Sequence, residues 1–272
     1  MDNKRILYVS QEIHPYLPEN EISKASLELP KKMNELGHEV RVFMPRYGVI
    51  NERRHQLHEV IRLSGINIIV NDMDQPLIIK VASVPSARMQ VYFIDNEEYF
   101  KRKAIFLDED GNFFSDNDQR AIFFCRGVIE TVTKLGWAPD IIHCHGWLAS
   151  FMPMYLKKFH YDDPLFADSK IVFSAYGVRE QEMPSTLIEN LKFDGFDAED
   201  LAKYENPTVE SVNRAAMTYS DGTIIASENA DPETKEFAEN NVDNYLDLTI
   251  AEDPTQAIYG LYEQVSVEET IA

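Results

Sequence analysis

Ile6, Leu7, Tyr8 and Val9 form an unbroken apolar run that ends at Ser10. So short a run of β-branched and aromatic residues predicts a strand buried on both faces. Ile22, Ala25, Leu29, Met33 and Leu36 then recur at three- and four-residue steps, the spacing of one helix face. Gly37 is placed to stop that helix, because glycine takes the left-handed cap conformation without steric cost. A second β-rich run, Val40–Met44, follows at once. Strand, loop, helix and strand in this order make a βαβ unit. In such a sheet a ligand sits beyond the carboxyl end of the first strand. The loop that starts at Gln11 is therefore the first place to look for function.

The alternation continues along the chain. Ile66–Val70 and Ile78–Val81 are β-rich and are separated by the turn-forming Asn71-Asp-Met-Asp74. Val91–Asp95 predicts a core strand. The long loop from Asn96 to Ser115 carries Tyr99, Phe100 and Asp108-Glu-Asp-Gly-Asn112. Loops of that length in a compact domain are usually functional or mobile. A helix is expected from Asp116, where Asp and Asn can cap it, and Gly136 ends it. Asp140–His145 predicts a strand, Gly146–Phe159 a helix interrupted by Pro153, and Ile171–Ser174 another buried strand. Ala175–Pro207 is polar and is expected to be loop with short helices. Val209–Tyr219 predicts a helix, Gly222–Ser227 a final strand, and Pro254–Val265 a last helix. Strands alternating with helices imply an α/β fold with a largely parallel sheet.

Composition narrows the function. The 272 residues are 44% hydrophobic and 26% charged, ordinary for a globular protein. No apolar stretch is long enough to span a bilayer, and the start lacks a signal-peptide pattern. The expectation is a cytoplasmic protein. Cys125 and Cys144 suggest no disulfide framework. A net charge of −20 argues against nucleic acid and anionic membrane as partners. Of this, −11 lies in residues 228–272, which carry twelve acids and one base. That end reads as a solvated acidic surface or as a partner-binding tail.

Three strand ends carry the candidate chemistry: Ser10-Gln-Glu12, His143-Cys-His145 and Ser174-Ala-Tyr176. His143 and His145 share one face of their strand, with Cys144 opposite. Two ligands make neither a structural nor a catalytic zinc site, so no metal is assigned. No nucleophile elbow, phosphate-binding P-loop or dinucleotide fingerprint is present. The loop after Ser10 has no glycine before Gly37 and carries Glu19 and Glu21, so it is a poor anion site. Paired carboxylates could come from Glu12, Asp95, Glu97, Glu98 and Asp116. Tyr16, Tyr47, Tyr99, Phe100, Trp147 and Tyr176 either stack on sugar rings or pack the core.

At these residues the chain resembles the glycogen/starch synthase family, glycosyltransferases that extend an α-1,4-glucan from ADP-glucose. Ser10-Gln-Glu-Ile-His-Pro15 resembles the family's Ser-x-Glu-x-x-Pro. Leu36-Gly-His-Glu-Val40 and Met44-Pro-Arg-Tyr-Gly48 resemble its Gly-His-x-Val and Pro-x-Tyr segments. Asp116-Asn-Asp-Gln-Arg-Ala-Ile-Phe-Phe124 is similar to Asp-Asn-x-x-Arg-Phe, and Pro139–Trp147 to Pro-Asp-Val-x-His-x-His-Asp-Trp. Ser220–Ser227 is similar to the strand that ends the N-terminal domain. The resemblance implies a Rossmann-like, doubly wound domain over residues 1–227, one half of a two-domain fold. An acidic extension over 228–272 would follow, its helix packing back on the domain by analogy.

The departures fall on the chemistry. The family's Lys-x-Gly-Gly-Leu-Ala-Asp donor loop is here Pro18-Glu-Asn-Glu-Ile-Ser-Lys24. The aspartate and last histidine of His-Asp-Trp-His are Gly146 and Leu148. The histidine and asparagine of Thr-x-His-Asn are Tyr176 and Gly177. The family's second domain, which holds most nucleotide contacts, has no counterpart in the last forty-five residues. The expectation is a non-catalytic relative with no catalytic residue and no cofactor. Its candidate glucan cleft comprises Glu12, Asp116, Asn117, Arg120, His143, His145, Trp147 and Tyr176. The alternatives are a glycosyltransferase completed by a partner chain, or a protein-interaction module that uses the acidic end.

Overall fold

The computed structural model describes residues 3–177 and 181–267. The first two residues of the chain start, positions 178–180 of the polar segment and the last five of the acidic end lie outside the described residues. The predicted βαβ unit is present as β1 (Arg5–Ser10), α1 (Glu21–Glu35) and β2 (Glu39–Pro45). Asn20 and Ser23 open α1 with a reciprocal capping box, which satisfies two of the backbone donors a helix start leaves free. The short α2 (Glu52–His55) and β3 (His58–Glu59) follow. β4 (Ile66–Val70) and β5 (Met73–Val84) form the expected hairpin, and β6 (Met89–Asp95) leads into α3 (Glu97–Phe100).

The second half runs α4 (Asn117–Leu135), β7 (Ile141–His145), α5 (Met152–Phe159) and β8 (Lys170–Ala175). Two short helices, α6 (Leu187–Phe193) and α7 (Ala198–Ala202), occupy the polar segment. α8 (Val209–Thr218), β9 (Gly222–Ile225), α9 (Pro232–Asn241), β10 (Tyr245–Asp247) and α10 (Pro254–Val267) complete the chain.

The strand order is β10-β9-β8-β7-β1-β2-β6-β5-β3, with β4 paired to β5. From β10 to β6 every neighbour is parallel, and β5, β3 and β4 add an antiparallel end. The chain winds outward from β1 in both directions, first to β2 and later to β7. The fold is thus a Rossmann-like, mostly parallel α/β sheet with a topological switch between β1 and β7. Helices cover both faces. On one, Ser26 of α1 meets Ser10 and Tyr262 of α10 meets His143. On the other, Cys144 is turned toward Cys125 of α4, whose thiol donates to the Leu148 carbonyl at 3.4 Å.

Three expectations need correction. The helix expected over Gly146–Phe159 begins only at Met152, and Pro153 stands in its first turn rather than interrupting it, where a missing N–H costs no helix bond. Gly222–Ile225 is not the final strand, because β10 adds to the sheet beyond it, in register with Thr223, Ile224 and Ile225. Asp116 stands at the head of α4 but makes no side-chain cap bond. Its carboxylate is instead taken by the Arg102 guanidinium, a charge-assisted pairing stronger than a neutral cap bond.

Helix α10 lies against the sheet. Tyr262 bonds His143 Nδ1 at 2.6 Å and Tyr8 Oη at 3.2 Å, and Ile258, Leu261 and Val265 are buried with it. Gly222 allows the approach, since a Cβ there would lie 3.0 Å from Val265 and 3.5 Å from Leu261. Among the described residues no helix is long and apolar enough to cross a membrane.

Candidate functional site

The three candidate strand ends are neighbours in the sheet. Ser10 pairs with His145 in register, and His145 pairs with Ser174. Over this edge, at the switch between β1 and β7, lies a cleft of about 420 Å³. One wall is the start of α1 with its preceding loop: Gln11, Glu12, Asn20, Glu21 and Ile22. The opposite wall is aromatic and apolar: Phe106, Leu107 and Phe113 from the long loop, with Trp147. Tyr176, Gly177, Gln181 and Val209 close the end.

The apolar wall is assembled by the loop after β6. Within it Leu107 and Phe113 form a bridge, and the Trp147 ring packs against Phe106 at 4.9 Å and Phe113 at 5.2 Å. Asp116, Asn117 and Arg120 hold this loop from behind and do not line the cleft. Asn117 donates to the Phe106 carbonyl at 3.0 Å, and Asp116 is ion-paired with Arg102. Arg120 is fully buried. It donates to the Tyr99 carbonyl at 2.8 Å and to Asn117 Oδ1 at 2.5 Å, with its guanidinium over Phe100 and Phe114. Burial pushes its pKa down to about 10.

On the polar wall, Glu12 accepts from Gln11 Nε2 at 3.1 Å and from the Asn20 amide at 2.6 Å. Asn20 Oδ1 accepts from the Ser23 N–H at 2.8 Å. Some of the amides at the α1 start, which a helix could offer to an anion, are thus taken by the chain's own side chains. Among the described residues no lysine or arginine lines the cleft.

Beneath the floor lies a buried polar cluster. His143 and His145 stack with ring centroids 3.9 Å apart, as their shared strand face predicts. His143 bonds Tyr262 through Nδ1 and Ser174 Oγ at 2.7 Å through Nε2. His145 Nδ1 meets the Tyr176 hydroxyl at 2.8 Å, and its Nε2 has no partner. Burial drives the His145 pKa down to about 3 and His143 well below its usual value, with the neighbouring His145 adding to the latter. Both rings are therefore neutral at physiological pH. Burial, and then the Glu21 charge, raise the Tyr176 phenol.

Of the candidate residues, Glu12, Trp147 and Tyr176 line the cleft, His145 and His143 lie below it, and Asp116, Asn117 and Arg120 stand behind its wall. The other candidate carboxylates are engaged elsewhere. Asp95 holds Arg46 at 2.9 Å and Lys80 at 3.0 Å, and Glu98 accepts from Gln75. The carboxylates that do face the cleft are Glu12 and Glu21. Sequence reading did not single out Phe106, Leu107 or Phe113; apolar residues inside a long polar loop were the available signal. Among the described residues no group of three or more His, Cys, Asp or Glu side chains could hold a metal ion.

The two glycine departures have structural counterparts. At Gly146, φ is +80° and the Gln11 side chain fills the space a Cβ would need. At Gly177 the Asn229 Cβ and carbonyl oxygen lie 2.6 Å from where a Cβ would stand.

Fold and cleft together define the class: a Rossmann-like α/β domain with its pocket at the carboxyl edge of a doubly wound sheet. A family model described as the starch synthase catalytic domain matches residues 5–247, and the chain belongs to that family. A glycogen synthase from Chlorobium limicola is 41% identical over 180 residues, 66% of this chain and 37% of the relative. One from Chlorobium luteolum is 40% identical over 191 residues, 70% of this chain and 39% of the relative. The chain thus spans well under half the length of the curated relatives it matches. The solved catalytic domain of Starch Synthase IV from Arabidopsis thaliana, bound to ADP and acarbose, shares the fold. Its TM-score is 0.67 at 18% identity, over 82% of this chain and 45% of that one.

Proposed function

We propose that this chain is a non-catalytic member of the family that holds a neutral α-glucan in the cleft between β1 and β7. The observation that carries the reading is the repacking of the cleft. The places of the family's cleft aspartate and asparagine, at Gly146 and Gly177, are filled by Gln11 and Asn229. Side chains cannot return there without moving neighbours, and at Gly177 the obstacle includes backbone.

The electrostatics agree. A nucleoside diphosphate sugar needs cations or free helix-start amides for its phosphates. Here Glu12 and Glu21 face the cleft and the α1 start is capped internally. What remains suits a neutral saccharide: an aromatic and apolar wall for the CH faces of the rings, and the side chains of Gln11, Glu12, Asn20 and Gln181 for hydroxyls. The acarbose named with the Arabidopsis structure supports the choice of an oligosaccharide.

Calorimetric titration with maltoheptaose tests the binding half, and a dissociation constant in the millimolar range or tighter is expected. No heat at millimolar ligand would refute it. Labelled glucose from ADP-glucose should not enter glycogen, either with the wild-type chain or after Pro18→Lys, Glu19→Thr, Asn20→Gly and Glu21→Gly restore the Lys-x-Gly-Gly part of the family's donor loop. Turnover in either protein would overturn the non-catalytic half.

A further inference from the structure

Beside the main cleft is a second cavity of about 160 Å³, between α1 and α10. Its lining includes Glu21, Glu28, His145, Ser174, Tyr176 and Ile258. Glu21 and Tyr176 also line the main cleft, so the two spaces adjoin at these residues. The space far exceeds the roughly 10–15 Å³ that one water requires.

His145 makes this cavity more than a packing gap. The residue is 1% exposed. Its Nδ1 is held by the Tyr176 hydroxyl, while Nε2 has no hydrogen-bond partner. A buried polar atom left unpaired keeps its desolvation cost without a compensating hydrogen bond. An occupant that brings a hydrogen-bonding group to Nε2 removes that cost. The nearby hydroxyl of Ser174 is engaged by His143, so it does not serve His145. At the mouth, the exposed carboxylates of Glu21 and Glu28 accept hydrogen bonds and repel anions. The buried Ile258 gives an apolar side against which the CH face of a ring can rest.

We infer that this cavity receives one neutral, hydroxylated six-membered ring, the end unit of a saccharide that extends into it from the main cleft. One hydroxyl meets His145 Nε2, and others meet Glu21 and Glu28. The inference rests on the glucan-binding reading above and adds where the end of the chain is held.

The test compares the full chain with Ile258→Phe, which fills the cavity from α10, and Glu28→Ala, an exposed helix position outside the main cleft. Titration with maltoheptaose should show each variant weakened by about tenfold, equivalent to ~1.4 kcal/mol. In wild type the ¹⁵N resonance of His145 Nε2 should move on adding the sugar. Should Ile258→Phe fail to fold, Glu28→Ala and the resonance carry the comparison. Unchanged affinity in the variants with an unmoved resonance overturns this inference and leaves the main-cleft reading standing. A sugar-bound structure with only water at Nε2 does the same. A wild-type chain that binds no maltoheptaose overturns both.

Discussion

Gly146 and Gly177 carry the strongest statement at the scale of single residues. Each stands where the motif resemblance would place a polar side chain, and at each a neighbour, Gln11 or Asn229, occupies the space of a Cβ. Overpacking a filled site typically costs about 1–3 kcal/mol. Gly177→Asn should therefore lower the urea midpoint by a corresponding amount and restore no glucosyl transfer. A variant as stable as the parent would show that Asn229 yields freely and that the repacking is incidental. Trp147 and Tyr176 could be chosen from sequence because they follow strand ends. Arg120 could not be placed correctly from sequence. A cation in a motif reads as a ligand group, yet this one is buried over Phe100 and Phe114 and holds the carbonyl of Tyr99. Its contribution to the cleft is indirect, through the loop it anchors.

Among elements, α10 stands out because it covers the face of the sheet bearing Tyr8 and His143. Burial of a large apolar side chain is worth about 1.5–3 kcal/mol, and Ile258, Leu261 and Val265 are all buried on this helix. Gly222→Val should push α10 away from the sheet, because even a Cβ there would meet Val265 at 3.0 Å. The expected result is a fall in melting temperature of about 5 °C or more, with faster amide exchange along α10. Unaltered exchange in α10 would mean that the helix does not depend on that close approach. Most elements were legible in the sequence because their apolar periodicity is strong, as in β1, α1, α4 and α8. β10 was not. It has three residues, Tyr245–Asp247, all only partly buried, inside the most acidic stretch of the chain, so neither length nor alternation marked it. Its place is fixed by pairing with β9, a long-range contact that local pattern does not contain. The cleft was half legible for the same reason. Strand ends could be found by pattern, but the wall built from Phe106, Leu107 and Phe113 depends on how a long loop folds back.

At the scale of the whole molecule, stability and acidity are linked through the buried histidine pair. In the unfolded chain each ring has a pKa near 6.5. In the folded chain His145 sits at about 3 and His143 well below its usual value, both mainly through burial. A base whose folded pKa is depressed binds its proton first in the unfolded state. Its contribution is therefore intact above about pH 6.5 and is lost as the pH falls toward 3. The slope approaches about 1.4 kcal/mol per pH unit for each histidine. Urea unfolding between pH 7 and pH 4.5 should show this decline, and His145→Gln should make it shallower while His143 keeps its share. An equal slope in that variant would remove His145 as a source of the acid sensitivity.

The two cysteines give the same molecule a built-in chemical clock. Cys125 and Cys144 are fully buried and free of a disulfide, and burial raises both thiols far above their usual range. The thiolate is the nucleophile, so an alkylating reagent meets almost no reactive sulfur while the core is closed. One thiol lies on β7, an inner strand between β8 and β1, and the other on the buried face of α4. Neither can be reached by fraying an edge of the sheet. Mass-resolved alkylation would then advance in a single step from no label to two whenever the core opens, and its rate would time that opening directly.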